Sequence, residues 1–341
     1  MAERIGENTI LLSRPPVILG AAAVGTPAEA AGPLAGAFDY LYDSAKAGAK
    51  TWEQAESRLQ SKAVRLALEK AQLAPEHVQL MLAGDLLNQC MATSFAVRGL
   101  HIPLAGVYGA CSTMALTLAL AAVLTESGAV QNAAAATSSH FCAAEKQFRM
   151  PLEYGGQRPP TAQWTASAAG AAVIGDRGEG VRIEAVHFGR IEDYGVTDSA
   201  NMGAAMAPAA AGTIASFLRD TETRPRDYDM ILTGDLGAVG TRLLLQLLAK
   251  EHGVSIADVH ADCGLMLYDR NVQDVHAGGS GCGCSAAVVC GHIVPRLRAR
   301  TLRRVLFVGT GALLSGVSPL QGESVPGIAH AVLLSGDSER M

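Results

Sequence analysis

The chain has 341 residues, 49% of them hydrophobic and 5% aromatic, and its formal net charge is −5 at pH 7. A chain of this length can bury a substantial core as one large or two ordinary domains. Because the net charge is negative and no basic cluster alternates with aromatic residues, nucleic acid is excluded as an expected partner.

Strand-like and helix-like patterns alternate along the chain, beginning with an apolar strand over Val17–Gly25. The periodicity predicts helices at Trp52–Ala71, Thr113–Leu124, Pro208–Arg219, Thr241–His252 and Ser285–Arg298. It predicts further strands at Thr9–Leu12, Leu80–Ala83, Ala133–Thr137, Ala171–Gly175, Arg182–Phe188, Met230–Thr233 and Val305–Gly309. This alternation favours an α/β protein with mostly parallel sheets covered by helices.

Two stretches resemble export or membrane signals without meeting their requirements. The apolar run from Val17 follows a region without net positive charge, so we expect no signal peptide. The uncharged stretch 99–125 is interrupted by Pro103 and several glycines, which predicts a buried strand and helix and no transmembrane segment. The seven cysteines are scattered and odd in number, which indicates reduced thiols in a cytosol-like compartment.

A polar, glycine-rich turn at 175–180 divides the chain near its middle. We therefore predict an N-terminal half over residues 1–178 and a C-terminal half over residues 179–341. Residues 141–165 are rich in proline, glycine and charge, and we expect them to form a long loop over the functional site.

The two halves carry the same three short sequence motifs in the same order. The matching pairs are Leu82–Leu86 with Leu232–Leu236, Gly109–Ser112 with Gly281–Ser285, and Ala136–Ser139 with Gly309–Ala312. Cys111 precedes Thr137 by 26 positions (137 − 111), and Cys284 precedes Thr310 by the same number (310 − 284). Three ordered matches indicate a duplicated βα unit.

Cys111 lies in the segment Gly109–Thr113, between a strand-like run and a helix-like run. A thiol at a helix N-terminus faces unpaired N–H groups and the positive end of the helix dipole, which favour a thiolate or a bound anion. The alternative is a small buried cysteine at a tight turn with no chemical role.

A duplicated α/β chain with a cysteine at this position resembles the thiolase superfamily, which includes the ketoacyl synthases. Longer motifs resemble a thiolase-like family of spore-forming bacteria; they include Leu82–Gln89, Gly109–Thr113, Ala136–His140, Glu153–Gln157, Ala205–Ala211 and Ala277–Cys282. The resemblance implies a duplicated βα fold of two pseudo-symmetric halves, with mostly parallel sheets and helices packed in five layers.

The same resemblance implies a role in moving dipicolinic acid, a planar pyridine with two carboxylates, into the developing spore. It implies a homodimer that works beside other membrane subunits, peripheral at the cytosol-facing side of the spore's inner membrane. No cofactor is expected, although Ca²⁺ could accompany the ligand.

The residues favour binding over catalysis. Condensing enzymes of the superfamily pair the cysteine with a histidine and with a second histidine or asparagine, which stabilise an oxyanion and move protons. In this sequence Asp235 stands where the histidine is expected, and Gly279-Ser280 stands where the asparagine is expected. The alternatives are a condensing or acyl-transfer enzyme that uses Cys111 with His140 and His276, or a scaffold with a vestigial pocket.

The expected ligand contacts are Cys111, Ser112, His140, Asp85, Asp235 and His276. Ser112 offers a hydroxyl at the helix start, and a protonated His140 would attract a carboxylate. Asp85 and Asp235 are alternatively helix N-caps. As pocket residues beside a dianionic ligand, they imply a protonated carboxyl, a hydrogen bond to the opposite side of the pocket, or a bridging cation such as Ca²⁺. The spacing of Cys282, Cys284, Cys290 and His292 is not typical of zinc, so no metal site is expected.

Overall fold

The computed structural model of this chain describes residues 2–148 and 158–336. The strands are β1 (Glu3–Ile5), β2 (Thr9–Leu11), β3 (Val17–Gly25), β4 (Tyr40–Leu41), β5 (Leu80–Gly84), β6 (Leu104–Gly106), β7 (Asn132–Ser139), β8 (Trp164–Thr165), β9 (Ala168–Gly175), β10 (Val181–His187), β11 (Met230–Thr233), β12 (His260–Asp262), β13 (Gly279–Ser280), β14 (Arg304–Ala312) and β15 (Gly327–Ser335). The helices are α1 (Pro27–Ala30), α2 (Trp52–Ala71), α3 (Met91–Val97), α4 (Thr113–Glu126), α5 (Phe141–Phe148), α6 (Met202–Asp220), α7 (Gly237–Glu251), α8 (Cys263–Leu267), α9 (Cys282–Val288) and α10 (Val294–Arg298).

The strand order repeats between the two halves of the chain. The first half runs β6-β5-β7-β9-β3 and the second runs β12-β11-β14-β15-β10. In each half the first three strands are parallel and the last two pair antiparallel. The halves join where β3 pairs with β10, at Ile18 with Val181 and Val17 with Arg182. The duplication predicted from the three sequence motifs is therefore present in the topology.

The two halves stack into five layers. The core between the sheets contains α4 and α9 packed against inward-facing residues of both sheets, such as Ile174 and Phe307. A second core lies between α2 and the outer face of the first sheet, and a third between α6 and the outer face of the second sheet. The expected α/β fold with five alternating helix and sheet layers is confirmed.

Small residues let the central helices approach the sheets closely. A Cβ on Gly170 of β9 would lie 2.4 Å from the Ala286 carbonyl oxygen of α9, and one on Gly309 of β14 would lie 2.7 Å from the Ala115 Cβ of α4. Only glycine fits such contacts, so the low aromatic content and the many small residues are a packing requirement.

Several predicted boundaries match the structure and others differ. Helix α2 and the strand Met230–Thr233 have the predicted ends. The sequence predicts α6 from Pro208, a residue type favoured at a helix start, but Asn201 caps the helix earlier and the proline lies inside it. The helix expected over Ser285–Arg298 starts earlier, at Cys282, and is interrupted by a π-helical turn at Val289–Ile293.

The expected loop 141–165 is helical at its start. Residues 141–148 form α5, because Phe141, Ala144 and Phe148 recur at helical spacing and pack inwards. Residues 149–157, with the motif Glu153–Gln157, lie outside the described part, and the segment ends in β8. The predicted half boundary at residue 178 falls in the turn between β9 and β10. Across 2–148 and 158–336, no helix combines the length and apolar character needed to cross a membrane.

We expect Gly170→Ala to lower the free energy of unfolding by about 1–3 kcal/mol, since the added methyl group meets the backbone of α9. Gly212→Ala is the matched control, because its methyl group would meet only a flexible Glu192 oxygen at 3.9 Å and it lies inside helix α6. That control should raise stability by up to about 1 kcal/mol. Urea denaturation measures both; equal stability of the two variants would contradict the packing argument.

Candidate functional site

A cavity of about 560 Å³ opens where loops from both halves meet. Its walls are mainly apolar and include Leu86, Phe148, Met202 and Leu314. Its polar lining includes the side chains of Cys111, Thr165, Ser280 and Glu145. The cavity therefore combines an apolar body with a few polar groups near Cys111, which is typical of a small-molecule site.

The segment before α4 is held by its own hydroxyl groups. The Ser112 Oγ donates to the Gly109 carbonyl at 2.6 Å, and the Thr113 Oγ1 donates to the Ala110 carbonyl at 2.6 Å. Ala110 adopts a left-handed backbone with φ of +50°. These bonds fix Cys111 at the cavity, but they turn the Ser112 hydroxyl into the backbone, so the expected contact from Ser112 to a ligand is absent from the cavity lining.

Cys111 is next to a serine and an aspartate from the second half. Its Sγ lies 3.8 Å from the Ser280 Oγ, which donates to an Asp235 carboxylate oxygen at 3.0 Å. The same carboxylate accepts from the Gly281 N–H and the Thr310 Oγ1, each at 2.8 Å. Asp235 is fully buried, so the carboxylate lies behind Ser280.

The electrostatics of this cluster oppose a thiolate. Burial raises the pKa of the Cys111 thiol well above its usual range, and the neighbouring Asp235 carboxyl raises it further. The thiolate expected at this helix start is therefore opposed by desolvation and by a nearby acidic group. Burial also raises the pKa of Asp235. Hydrogen bonds from the Gly281 N–H and from the Thr310 and Ser280 hydroxyl groups act in the opposite direction and lower it.

Gln163 connects the two loops that supply this cluster, and no sequence motif points to it. Its side-chain amide donates to the backbone carbonyls of Asp235 and Gly279, each at 2.7 Å. Ser280 stands where the sequence analysis expects the asparagine of a condensing enzyme, and Thr310 belongs to the repeat, but neither is among the expected ligand contacts. The structure shows that both residues belong to the cluster around Asp235.

Asp85 and Asp235 occupy equivalent positions in the repeat but have different hydrogen-bond partners. The Asp85 carboxylate accepts from the backbone N–H groups of Leu87 and Thr93, each at 2.8 Å, and does not line the cavity. In the second half, Gly237 corresponds to Leu87. Its N–H donates to the Asp262 carboxylate at 3.0 Å and makes no such bond to Asp235. Neither Asp85 nor Asp235 is a helix N-cap residue.

The two histidines lie away from the cavity lining. His140 is buried, its Nε2 lies 2.8 Å from the Ala45 carbonyl oxygen, and burial lowers its pKa. His276 is partly exposed, with its Nε2 2.9 Å from an Asp274 carboxylate oxygen. A neutral His140 does not provide the expected positive charge, and the expected acid–base pair with Cys111 does not assemble.

Cations near residues 141–165 are engaged elsewhere where the structure describes them. Lys146 pairs with Glu53 at 2.7 Å and Arg158 pairs with Asp274 at 3.1 Å. Arg149 lies outside the described residues. Within the described ranges, no group of three or more histidine, cysteine or acidic side chains is arranged to hold a metal ion.

The family model of stage V sporulation protein AD (SpoVAD) matches residues 6–335. The stage V sporulation protein AD of Bacillus subtilis (strain 168) is 44% identical over 328 residues, covering 96% of each chain. The chain belongs to the SpoVAD family. The family membership agrees with the resemblance that the sequence motifs indicate.

Solved structures show the same fold for this SpoVAD family member. A structure of a Xanthomonas campestris OleA variant has a TM-score of 0.60 at 14% identity, covering 98% of this chain and 100% of OleA. The 3-oxoacyl-[acyl-carrier-protein] synthase III of Aquifex aeolicus VF5 has a TM-score of 0.56 at 13% identity, covering 94% and 99%. The thiolase-like fold is confirmed by these similarities, which at this identity concern the fold alone.

We expect Asp235→Asn to make Cys111 more reactive towards iodoacetamide, because it removes the acidic group that opposes the thiolate. A fall of one unit in the thiol pKa would raise the alkylation rate below that pKa about tenfold. Peptide mass spectrometry across a pH series follows Cys111 itself.

Asp85→Asn is the matched control for this measurement. It removes another buried carboxylate that makes backbone bonds but does not touch Cys111. Equal Cys111 alkylation in both variants would show that Asp235 does not control the thiol.

Proposed function

We propose that this protein is a non-catalytic subunit that binds dipicolinic acid for its uptake into the developing spore. The observation that supports binding over turnover is the Asp235 carboxylate behind Ser280, next to Cys111. The resemblance to the sporulation family supports the choice of ligand. The proposal therefore combines a site geometry with a family relationship.

The cluster lacks the groups that a cysteine-dependent condensation needs. Such a reaction uses a thiolate and hydrogen-bond donors for a developing oxyanion. Here burial and Asp235 raise the pKa of the thiol and favour its protonated form, and a carboxylate would repel an oxyanion. Since the loss of one oxyanion donor costs about 100–1000-fold in rate, carbon–carbon bond formation is not supported at this site.

The shape of the cavity suits a small planar ligand. The apolar walls at Leu86, Phe148, Met202 and Leu314 can cover the faces of a pyridine ring. The polar end at Cys111 and Ser280 is then available to a carboxylate group or to a cation that the ligand carries.

The charges around the cavity favour a calcium chelate over the free dianion. Ser280 gives its hydroxyl hydrogen to Asp235, so its oxygen is left as an acceptor. The Asp235 carboxylate behind Ser280 opposes a free dianion at this end of the cavity. Ca²⁺ takes 6–8 oxygen ligands and can use further acceptors beyond those of dipicolinate.

We expect saturable binding of dipicolinate with equimolar Ca²⁺ in calorimetric titration, and binding at least about tenfold weaker without the ion. Ala312→Trp should abolish binding by filling the cavity, since Ala312 is in its lining. Gly36→Ala is the matched control, because its added methyl group meets nothing within 4 Å.

Absence of binding with and without Ca²⁺ would contradict the proposal and favour a scaffold with a vestigial pocket. Acylation of Cys111 by acyl-CoA donors, seen as a mass increase of the intact protein, would contradict a non-catalytic role and favour the acyl-transfer alternative.

We also propose that the subunit is a homodimer, peripheral at the cytosol-facing side of the spore's inner membrane beside membrane subunits of the same uptake system. The family resemblance supports the membrane setting. An edge strand supports the dimer: β6 pairs with β5 and ends the strand order of the first half. Four apolar side chains on and near this edge are exposed: Met91, Phe95, Leu104 and Tyr108.

We expect Leu104→Glu to convert the dimer to a monomer, because it places a buried charge at the paired edge. Light scattering after size-exclusion chromatography measures the mass. Val272→Glu is the matched control, since Val272 is also exposed but lies in the second half. A wild-type chain that is monomeric, or a Leu104 variant that remains dimeric, would contradict this interface.

A further inference from the structure

A second cavity, of about 690 Å³, lies on the outer side of the second half. Its walls come from the turn between β1 and β2, from the end of β10 and the residues after it, from one face of α6, and from His252 at the end of α7. It shares no lining residue with the cavity at Cys111. Nothing in the proposed binding of dipicolinate uses it.

A buried histidine lies in the wall of this cavity and is oriented by two residues. His187 is 1% exposed, and its Nδ1 lies 2.8 Å from the Thr9 Oγ1. The Thr9 hydroxyl donates its single hydrogen to the Asp220 carboxylate at 2.8 Å. The Nδ1 of His187 must therefore carry a hydrogen, which leaves Nε2 as an acceptor.

The Nε2 of His187 has no hydrogen-bond partner among the residues that the structure describes. Burial lowers the pKa of His187 to about 4, and the Arg219 and Arg190 guanidinium groups contribute to the lowering. Asp220 is the one neighbouring group that acts in the opposite direction. The ring is therefore neutral at physiological pH and presents an unused acceptor at the cavity wall.

Two arginines at the rim hold a carboxylate of the chain itself. One Glu7 carboxylate oxygen lies 3.0 Å from the Arg190 Nη2 and 4.0 Å from the Arg219 Nη2. All three side chains are more than half exposed, with Glu7 at 59%. Because an exposed ion pair of this kind contributes little to stability, the Glu7 carboxylate is a competitor that a bound anion can displace. Glu7 thus indicates where an anionic oxygen binds.

The cavity offers both acceptors and cationic donors. The acceptors are the His187 Nε2 and the carboxylate of Glu192, and the donors are the guanidinium groups of Arg190 and Arg219. A plain anion would satisfy the arginines and be repelled by the acceptors. A group that carries a hydrogen next to its anionic oxygens can contact the arginines and also donate to the His187 Nε2.

We propose that this cavity binds a phosphate group in its hydrogen-carrying form, as free phosphate or as a phosphomonoester. The arginines contact the anionic oxygens in place of Glu7, and the His187 Nε2 accepts from the P–OH. Phosphomonoesters retain this hydrogen in part near neutral pH because their second pKa is about 6. Sulfate has a similar shape but no hydrogen to donate, so the site distinguishes the two anions. This site is independent of the proposed function at Cys111.

The experiment is a calorimetric titration of the full chain with inorganic phosphate and with sulfate at about pH 6, at matched ionic strength. We expect saturable phosphate binding that is at least about tenfold tighter than sulfate binding, since only phosphate can donate a hydrogen bond to the His187 Nε2. Arg190→Gln combined with Arg219→Gln should weaken phosphate binding by about tenfold or more.

Glu7→Gln should change phosphate affinity in the opposite direction. Because Glu7 lies on an exposed turn, this substitution should not disturb folding. It removes the competing carboxylate, so phosphate affinity should rise several-fold. His187→Gln should reduce the preference for phosphate over sulfate, because the amide can donate to either anion. Equal binding of the two anions by the wild type, or no gain with Glu7→Gln, would overturn the proposal.

The source of the phosphate group is distinguished by two further titrants. Glycerol 3-phosphate tests a soluble phosphomonoester, and phosphatidylcholine vesicles containing phosphatidic acid test a lipid headgroup. Either one binding with the same dependence on Glu7 and the arginines supports the site and identifies its source. Absence of binding to inorganic phosphate and to both titrants would overturn it.

Discussion

The close packing of the central helices α4 and α9 against both sheets is the constraint on which the rest of the molecule depends. It requires glycine at contacts such as Gly170 with Ala286 and Gly309 with Ala115, where no Cβ fits. Because the layers are so close, the loop that carries Cys111 from the first half touches the loop that carries Ser280 from the second. The site is therefore a product of how the duplicated halves stack.

The broad fold could be predicted from the sequence because its signals are periodic and repeated. The helix Trp52–Ala71 and the strand Met230–Thr233 follow directly from apolar spacing and bounding polar residues. Prediction failed where tertiary contacts override local preference. Pro208 is tolerated inside α6, a helix that packs along the second sheet, and α5 forms in a segment whose composition favoured a loop.

The candidate site was predictable in part. Cys111 and Asp235 were recognised because the repeat and the family motifs single them out, and the structure brings them together. Ser112, Asp85, His140 and His276 do not line the cavity, and each makes a contact to the backbone or to another side chain elsewhere. Gln163 could not be found from sequence, because its role depends on two carbonyl groups more than 70 positions away along the chain.

The duplication has a consequence for stoichiometry. The segments around the two equivalent positions, at Cys111 and at Cys284, play different roles in the described structure. The first presents its thiol to the cavity, and the second supplies Ser280 and the Gly281 N–H that binds the Asp235 carboxylate. Both repeated units therefore contribute residues to one site. The binding proposed for the cavity at Cys111 therefore predicts one ligand for each chain, although the sheets repeat twice.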